Sequence, residues 1–132
     1  MSDLEVNYIR QWIDKAEEDL LVVNQLLTME VIAKGAVGFH LQQAAEKFLK
    51  AFLFSRSIDP PKTHNIEYLL EQCKTSEPEF SGIDTGNLTD YGVEVRYPGD
   101  FLEPSLNELE SLLEVVQKIR DKSLKNIHLE NY

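Results

Sequence analysis

Residues 39–51 of the chain read FHLQQAAEKFLKA, and this stretch decides the fold because it has two distinct faces. One stripe recurs at alternating steps of four and three residues, the spacing of a single helix face, and consists of Val37, Leu41, Ala44, Phe48, Ala51 and Ser55. A second stripe carries His40, Gln43, Lys47 and Lys50. The stretch therefore predicts a helix, ending near Ser57, that buries one face and offers the other to a polar ligand or partner.

The chain before this stretch also has helical periodicity. Its apolar residues again alternate at steps of four and three, and Ser2 with Glu5 has the form of a capping box. We therefore predict a first helix from about residue 4 to about residue 32. Gly35 and Gly38 are expected to form the turn between the two helices, because glycine lowers helix stability by roughly 1 kcal/mol relative to alanine.

Three shorter helices are predicted in the second half of the chain, and no strand. Thr63 is the expected N-cap of the third helix. Residues 75–86, rich in serine, proline and glycine, are expected to form an exposed loop. A short fourth helix stops before Pro98, and a fifth runs from Pro104 to about Arg120.

This pattern predicts an all-α fold, an up-and-down bundle of four to five helices. The 132 residues are enough for one domain with its own core, so we expect residues 1–132 to form a single unit. From about residue 121 the tail is polar and is expected to fray or to dock on a partner.

Composition limits the classes of function. The net charge of −10, from 13 basic and 23 acidic residues, argues against a broad nucleic-acid surface but allows a local basic patch that binds phosphate. The single Cys73 cannot form an internal disulfide and lies on an apolar stripe, which indicates a core position. The chain has no secretory signal, lipidation signal or long apolar run, so we expect a cytoplasmic protein without a membrane segment.

Three strings of the sequence together resemble one family. They are the stretch quoted above, THNIEYLL at residues 63–70 and VRYPGD at residues 95–100. In order and spacing they resemble the HEPN domain (higher eukaryotes and prokaryotes nucleotide-binding), in its small stand-alone prokaryotic type, from about Trp12 to Arg120. The resemblance implies an all-helical bundle, commonly a homodimer, that is often encoded beside a small nucleotidyltransferase in a two-gene, toxin-antitoxin-like module. Many members are thought to be ribonuclease toxins, and others look like non-catalytic binding modules.

The family's ribonuclease signature is an arginine followed, after four to six residues, by a histidine. Arg96 stands where that arginine is expected, but the histidine's window holds Phe101, Leu102 and Glu103. The incomplete signature favours a binding module over an enzyme. Metal-independent RNA cleavage still needs a proton acceptor and a cation for the transition state, and His40 and His64 are the candidate histidines for that role.

Each candidate residue also has a structural interpretation. His40 and His64 can be locally hydrogen-bonded, Arg96 can clamp a nearby carboxylate, Tyr97 can pack beside its proline, and Lys47 and Lys50 can form a solvated face. The spacing of histidine and cysteine fits no zinc site, and no glycine-rich phosphate loop is present, so we expect neither metal nor cofactor.

These observations lead to a main hypothesis and two alternatives. In the first, the apolar first and last helices pair with a second copy, and a shared cleft binds a nucleotide or RNA phosphate in partnership with a nucleotidyltransferase. The cleft residues would be His40, Gln43, Lys47, Lys50, Arg96 and Tyr97. The first alternative is a metal-independent ribonuclease that uses Arg96 with His40 or His64. The second is a purely structural adaptor without phosphate affinity.

Overall fold

The computed structural model describes residues 1–92 and 103–129, and within these ranges it consists of helices without strands. The elements are α1 (Asp3–Leu26), α2 (Lys34–Ser55), α3 (Ile66–Ser76), α4 (Leu106–Lys125) and two 3₁₀ turns, Pro78–Phe80 and Leu88–Tyr91. The all-α bundle predicted from the sequence is confirmed.

The helices α1 and α2 form an antiparallel pair. Tyr8, near the start of α1, meets Phe54 at the end of α2, with ring centroids 4.9 Å apart. Asp19, farther along α1, contacts His40 and Lys47, which come earlier in α2 than Phe54. The two helices therefore run in opposite directions. Twelve of the 22 residues of α2 are buried, which makes it the central helix against which α1, α3 and α4 pack.

The apolar stripe predicted on α2 lies in the core. Five of its six members are fully buried, namely Val37, Leu41, Ala44, Phe48 and Ala51. The sixth, Ser55, is partly buried and donates its hydroxyl to the carbonyl of Phe52. Phe52 in turn packs against Phe80, with ring centroids 4.7 Å apart, so the core continues from α2 to the first 3₁₀ turn. Burial of such large rings supplies much of the hydrophobic stabilisation.

The first helix ends at Leu26, six residues earlier than predicted. The N–H of Thr28 donates to the carbonyl of Gln25 at 3.1 Å, and its hydroxyl donates to the same oxygen at 2.7 Å. These three-residue hydrogen bonds tighten the last turn and satisfy its carbonyls. The start of α1 agrees with the sequence, because the Ser2 hydroxyl accepts the Glu5 N–H at 3.2 Å.

The predicted glycine turn is wrong, because Gly35 and Gly38 lie inside the first turns of α2. At Gly38 a Cβ atom would lie 2.8 Å from the ring of Tyr91, closer than side chains approach one another. Glycine at this position therefore allows the Leu88–Tyr91 turn to pack directly against α2.

The third helix begins later than predicted. Its N-cap is Asn65, whose side chain accepts the Tyr68 N–H at 2.9 Å. Thr63, predicted as the cap, instead accepts the N–H of Asn65 at 3.1 Å. Threonine and asparagine both cap helices well. Asn65 is the cap because it lies three residues before an N–H of the first helical turn that has no backbone partner.

The segment predicted as an exposed loop, residues 75–86, is partly structured. Its Phe80 is 1% exposed and its Thr85 4% exposed. The predicted fourth helix appears as the Leu88–Tyr91 turn, and the rest of that prediction lies outside the described residues.

The last helix extends about five residues beyond the end predicted from the sequence, which was near Arg120. It begins after the N-cap Ser105, whose hydroxyl accepts the Glu108 N–H at 3.1 Å, and it continues to Lys125. Beyond it, Ile127 and Leu129 are buried. The tail that follows the last helix is therefore packed against the bundle as far as residue 129.

Candidate functional site

The polar face of α2 forms two clusters, each built around a buried carboxylate. These carboxylates are Asp19 on α1 and Glu46 on α2, which are 8% and 5% exposed. A buried carboxylate is costly unless it is paired and hydrogen-bonded. Each of the two carboxylates therefore needs hydrogen-bond donors or cations held against it.

In the Asp19 cluster, one carboxylate joins two residues of α2. His40 Nδ1 lies 2.8 Å from Asp19 Oδ1, and Lys47 Nζ donates to Asp19 Oδ2 at 2.6 Å. His40 and Lys47 are two turns apart on one face of α2, and the antiparallel packing places Asp19 between them. Because an ionised carboxylate only accepts, the proton of the first bond belongs to His40 Nδ1.

In the Glu46 cluster, the carboxylate joins α2 to the segment that precedes α3. Lys50 Nζ donates to Glu46 Oε2 at 3.0 Å, and His64 Nδ1 lies 2.8 Å from Glu46 Oε1. Gln42 Nε2 approaches the same Oε1 at 3.3 Å. Gln42, Glu46 and Lys50 follow one another at steps of four, so this part of the cluster is one ridge of α2.

Gln42 is fully buried and connects the Glu46 cluster to its surroundings. Its Nε2 donates to the carbonyl of His64 at 2.8 Å, and its Oε1 accepts from Gln43 Nε2 at 2.8 Å. A Cβ atom at Gly92 would lie 2.8 Å from the Gln42 amide carbon. The buried amide thus fixes the backbone of His64 and leaves room only for glycine at position 92.

The structure brings together five of the residues predicted from the sequence. His40 and Lys47 meet at Asp19, whereas Lys50 and His64 meet at Glu46, and Gln43 joins the Glu46 cluster through Gln42. The other two candidates, Arg96 and Tyr97, lie outside the described residues.

Sequence reasoning missed Asp19, Gln42 and Glu46. For Asp19 a signal existed, because it lies three residues after Ala16 and four before Val23, on the buried stripe of α1. An acidic residue on an apolar stripe needs a partner. For Gln42 and Glu46 the signal was the repeated four-residue spacing of Gln42, Glu46 and Lys50.

The charges within the two clusters balance. With neutral histidines, the positive charges of Lys47 and Lys50 are matched by Asp19 and Glu46. These cations are held in defined positions but carry no surplus charge toward an anion. Tight phosphate binding therefore requires hydrogen-bond donors together with a further cation.

His64 is the member of the network best placed to meet another molecule. Its side chain is 73% exposed, whereas that of Glu46 is 7% exposed. The carboxylate keeps the proton of neutral imidazole on Nδ1, which leaves the lone pair on Nε2. In acid–base sites of hydrolases a carboxylate likewise holds Nδ1 of an imidazole and directs Nε2 toward the substrate.

Two features are absent from the described ranges. Residues 1–92 and 103–129 contain no cluster of three or more histidine, cysteine or acidic side chains arranged to hold a metal ion. Among the helices in those ranges, none combines the length and apolar character needed to cross a membrane.

The chain matches the model of a known protein family. The family model of the HEPN domain matches residues 9–127, most of the chain. No curated protein and no solved structure matches. The match begins within α1 and ends just beyond α4, so it includes both clusters of the polar face.

Proposed function

Because the chain belongs to the HEPN domain family, we propose that it is a dimeric module that binds nucleotide or RNA phosphate and acts with a small nucleotidyltransferase in a two-gene, toxin-antitoxin-like system. Membership supports a nucleotide- or RNA-related module in general. The phosphate site, the dimer and the partner are our proposal.

The observation that carries the proposal is the anchoring of the histidines and lysines of the polar face on buried carboxylates. Glu46 holds His64 and Lys50, and Asp19 holds His40 and Lys47. Donors whose positions are fixed lose little conformational entropy when a ligand binds. Since the two clusters are neutral overall, we assign the additional positive charge to Arg96, contributed by the same chain or by a second copy.

The proposed dimer uses the surface between α1 and α4. A groove of about 450 Å³ lies there, lined in part by Leu20, Leu21 and Gln117. Leu21 is an apolar residue of this mainly polar groove, and it is 56% exposed. Across the groove Arg120 holds Glu17 with two hydrogen bonds, of 2.5 and 2.9 Å, so its walls are fixed. Size-exclusion chromatography with light scattering should show a dimer at micromolar concentration, and a monomer there excludes a shared cleft.

Phosphate binding is tested with a short, end-labelled single-stranded RNA, followed by fluorescence anisotropy. In its imidazolium form His64 would donate Nε2–H to a phosphate oxygen while Nδ1–H stays on Glu46, so His64→Ala should weaken binding by about tenfold, the effect of removing one charge-assisted hydrogen bond. His64 is exposed, and Glu46 keeps its bonds to Lys50 and Gln42 without it, so this variant should still fold. Lys74→Ala, on the exposed side of α3, is the matched control and should bind normally. If the unmodified protein and both variants bind RNA with equal affinity, His64 does not contact the phosphate.

The nucleotidyltransferase partnership requires a separate experiment. The product of the neighbouring gene should copurify with this chain when the two are expressed together. Exposed apolar residues on α1 and α4 would be covered either by that partner or by the second copy, and light scattering of the purified complex gives the stoichiometry. A neighbouring gene of another class, or separate elution of the two products, would overturn this part of the proposal.

The geometry of His64 also favours a second candidate function, metal-independent RNA cleavage. His64 Nε2 would take the proton of a ribose 2′-hydroxyl while the 2′-oxygen forms a bond to phosphorus. The bond from phosphorus to the 5′-oxygen then breaks, the leaving 5′-oxygen takes a proton from a general acid such as protonated His40, and a 2′,3′-cyclic phosphate remains. Arg96 would stabilise the charged transition state.

This candidate predicts RNA cleavage in the presence of a metal chelator. His64→Ala and Arg96→Ala should each abolish cleavage, whereas Lys74→Ala should not. If the unmodified protein binds RNA but leaves it intact, the module is a binder and the enzymatic candidate fails. If it has no phosphate affinity at all, the third hypothesis, a structural adaptor, is correct.

A further inference from the structure

A second groove lies next to the Asp19 cluster, on the side of α1 that faces the end of α2. Its volume is about 460 Å³, and it is lined by Tyr8, Gln11, Trp12, Lys15 and Lys47. Lys47 belongs both to this groove and to the Asp19 cluster. The groove is therefore continuous with the polar face of α2.

Two aromatic rings, Tyr8 and Trp12, line the groove, and a third, Phe54, packs against both. Tyr8 and Trp12 meet edge to face with centroids 6.2 Å apart, and Trp12 lies 5.7 Å from Phe54 at an interplanar angle of 38°. Tyr8 also packs against Phe54, so each ring touches the other two. Tyr8 nevertheless remains 47% exposed. A braced but exposed aromatic surface is suited to stack on a flat ligand without losing side-chain entropy.

Lysines surround these rings in a chain whose net charge is −10. Lys50 Nζ lies 5.9 Å from the centroid of Trp12. Lys15 pairs with Glu18 only loosely, at 3.8 Å, and both side chains are largely exposed. Such a pair contributes little and leaves Lys15 able to turn toward an anion. The groove therefore combines a flat apolar surface with one weakly paired cation, Lys15, next to Lys47, whose charge is matched by Asp19.

We propose that this groove stacks the unpaired base of a nucleotide whose phosphate lies against Lys15 and Lys47. The inference rests on the proposed function, and it adds that the ligand is single-stranded. Aromatic side chains stack on bases of any sequence while lysines follow the backbone. Bases inside a duplex are already stacked on their neighbours and cannot enter. A groove of about 460 Å³ has the volume of a site for one small ligand, and a nucleotide is a ligand of that size.

The chain contains one tryptophan, so emission from Trp12 reports directly on this groove. Adenosine monophosphate and a short oligoadenylate should quench the emission in a saturable way. Ribose 5-phosphate and a blunt RNA duplex should not. Tighter binding of the oligonucleotide than of the monophosphate identifies RNA as the source of the base, and equal binding identifies the free nucleotide.

Variants provide the matched comparison. Tyr8→Ala should weaken the oligoadenylate titration by about tenfold, since stacking on one aromatic ring is typically worth that much. Tyr68→Ala, on α3, removes a tyrosine of similar exposure and should leave the titration unchanged. Circular dichroism of each variant verifies that the helices are retained.

Two results would overturn the inference. If RNA binds, as anisotropy reports, but Trp12 emission does not change, the groove is not the base site while the phosphate-binding proposal stands. If Trp12 emission changes with protein concentration in the absence of ligand, and oligoadenylate has no effect, a second copy of the chain covers the groove. Loss of RNA binding in the anisotropy assay itself is the separate failure of the proposed function.

Discussion

His64 Nδ1 donates to Glu46 Oε1 at 2.8 Å, so an exposed imidazole is anchored on a carboxylate inside the bundle. The same carboxylate accepts from Lys50, and Gln42 holds the His64 backbone. One buried residue thus positions donors from α2 and from the segment before α3. This arrangement links the stability of the fold to the geometry of the proposed site.

Glu46→Ala should lower the free energy of unfolding by about 3 kcal/mol, because it leaves the ammonium group of Lys50 poorly hydrated and without its carboxylate. The Lys50 side chain is 12% exposed. Urea denaturation followed by circular dichroism measures the change. Glu71→Ala removes an exposed pair with Lys74 and should cost less than about 0.5 kcal/mol. Equal stabilities of the two variants would contradict the role of Glu46.

Gly38→Ala should destabilise the protein by about 1–3 kcal/mol, although alanine normally favours helices. The new methyl group would lie 2.8 Å from the ring of Tyr91 and would force the turn away from α2. Thermal unfolding in the Tyr91→Leu background tests this cause. There the same change at position 38 should cost less, and an undiminished cost would mean that Tyr91 is not the obstacle.

Cys73 should react very slowly with thiol reagents in the native protein. Burial raises the pKa of the Cys73 thiol from 9.0 to about 12, and the side chain is fully buried. At pH 8 this shift alone reduces the reactive thiolate fraction about a thousandfold. Native protein mixed with a chromogenic disulfide reagent should show little release of chromophore, and denatured protein should react at once. Rapid native labelling would show that the α2–α3 contact opens readily.

The pair of Glu79 with Lys125 should make stability depend on pH at both ends of the scale. The hydrogen bond from Lys125, with a second from Asn126, lowers the pKa of Glu79 below its usual 4.5, and Glu79 raises the pKa of Lys125 above 10.5. A lowered carboxyl pKa stabilises the fold above pH 4.5, and this contribution is lost as the pH falls. A raised lysine pKa stabilises it below pH 10.5, and this contribution is lost as the pH rises.

The comparison of the unmodified protein with Glu79→Gln therefore isolates the pair. Their difference in melting temperature should be constant between these two values and should shrink outside them. A difference that persists unchanged at pH 3 would show that the contact acts through packing instead of charge.

The sequence predicted the core of α2 well, because burial on a helix follows a fixed period and the stripe from Val37 to Ala51 is uninterrupted. Helix ends were less predictable. Whether Thr63 or Asn65 caps α3 depends on one local hydrogen bond, and the role of Gly38 depends on Tyr91, which is distant in the sequence.

The polar site was likewise predictable only in part. Periodicity grouped His40, Gln43, Lys47 and Lys50 on one face of α2, but it could not show that Asp19 of α1 lies between two of them. That contact depends on the register between two antiparallel helices. The family resemblance is confirmed by the match to residues 9–127, while the roles of the site residues stay predictions.

The most direct test of the proposed phosphate site is a nitrogen-detected NMR titration of the His64 imidazole with a short single-stranded RNA. The anchored geometry predicts that Nε2 shifts in a saturable way while Nδ1 stays bonded to Glu46, and that amide signals around Lys47 move with the same dissociation constant. If neither nitrogen of His64 nor the amides of α2 respond at millimolar RNA, the polar face of α2 does not bind phosphate.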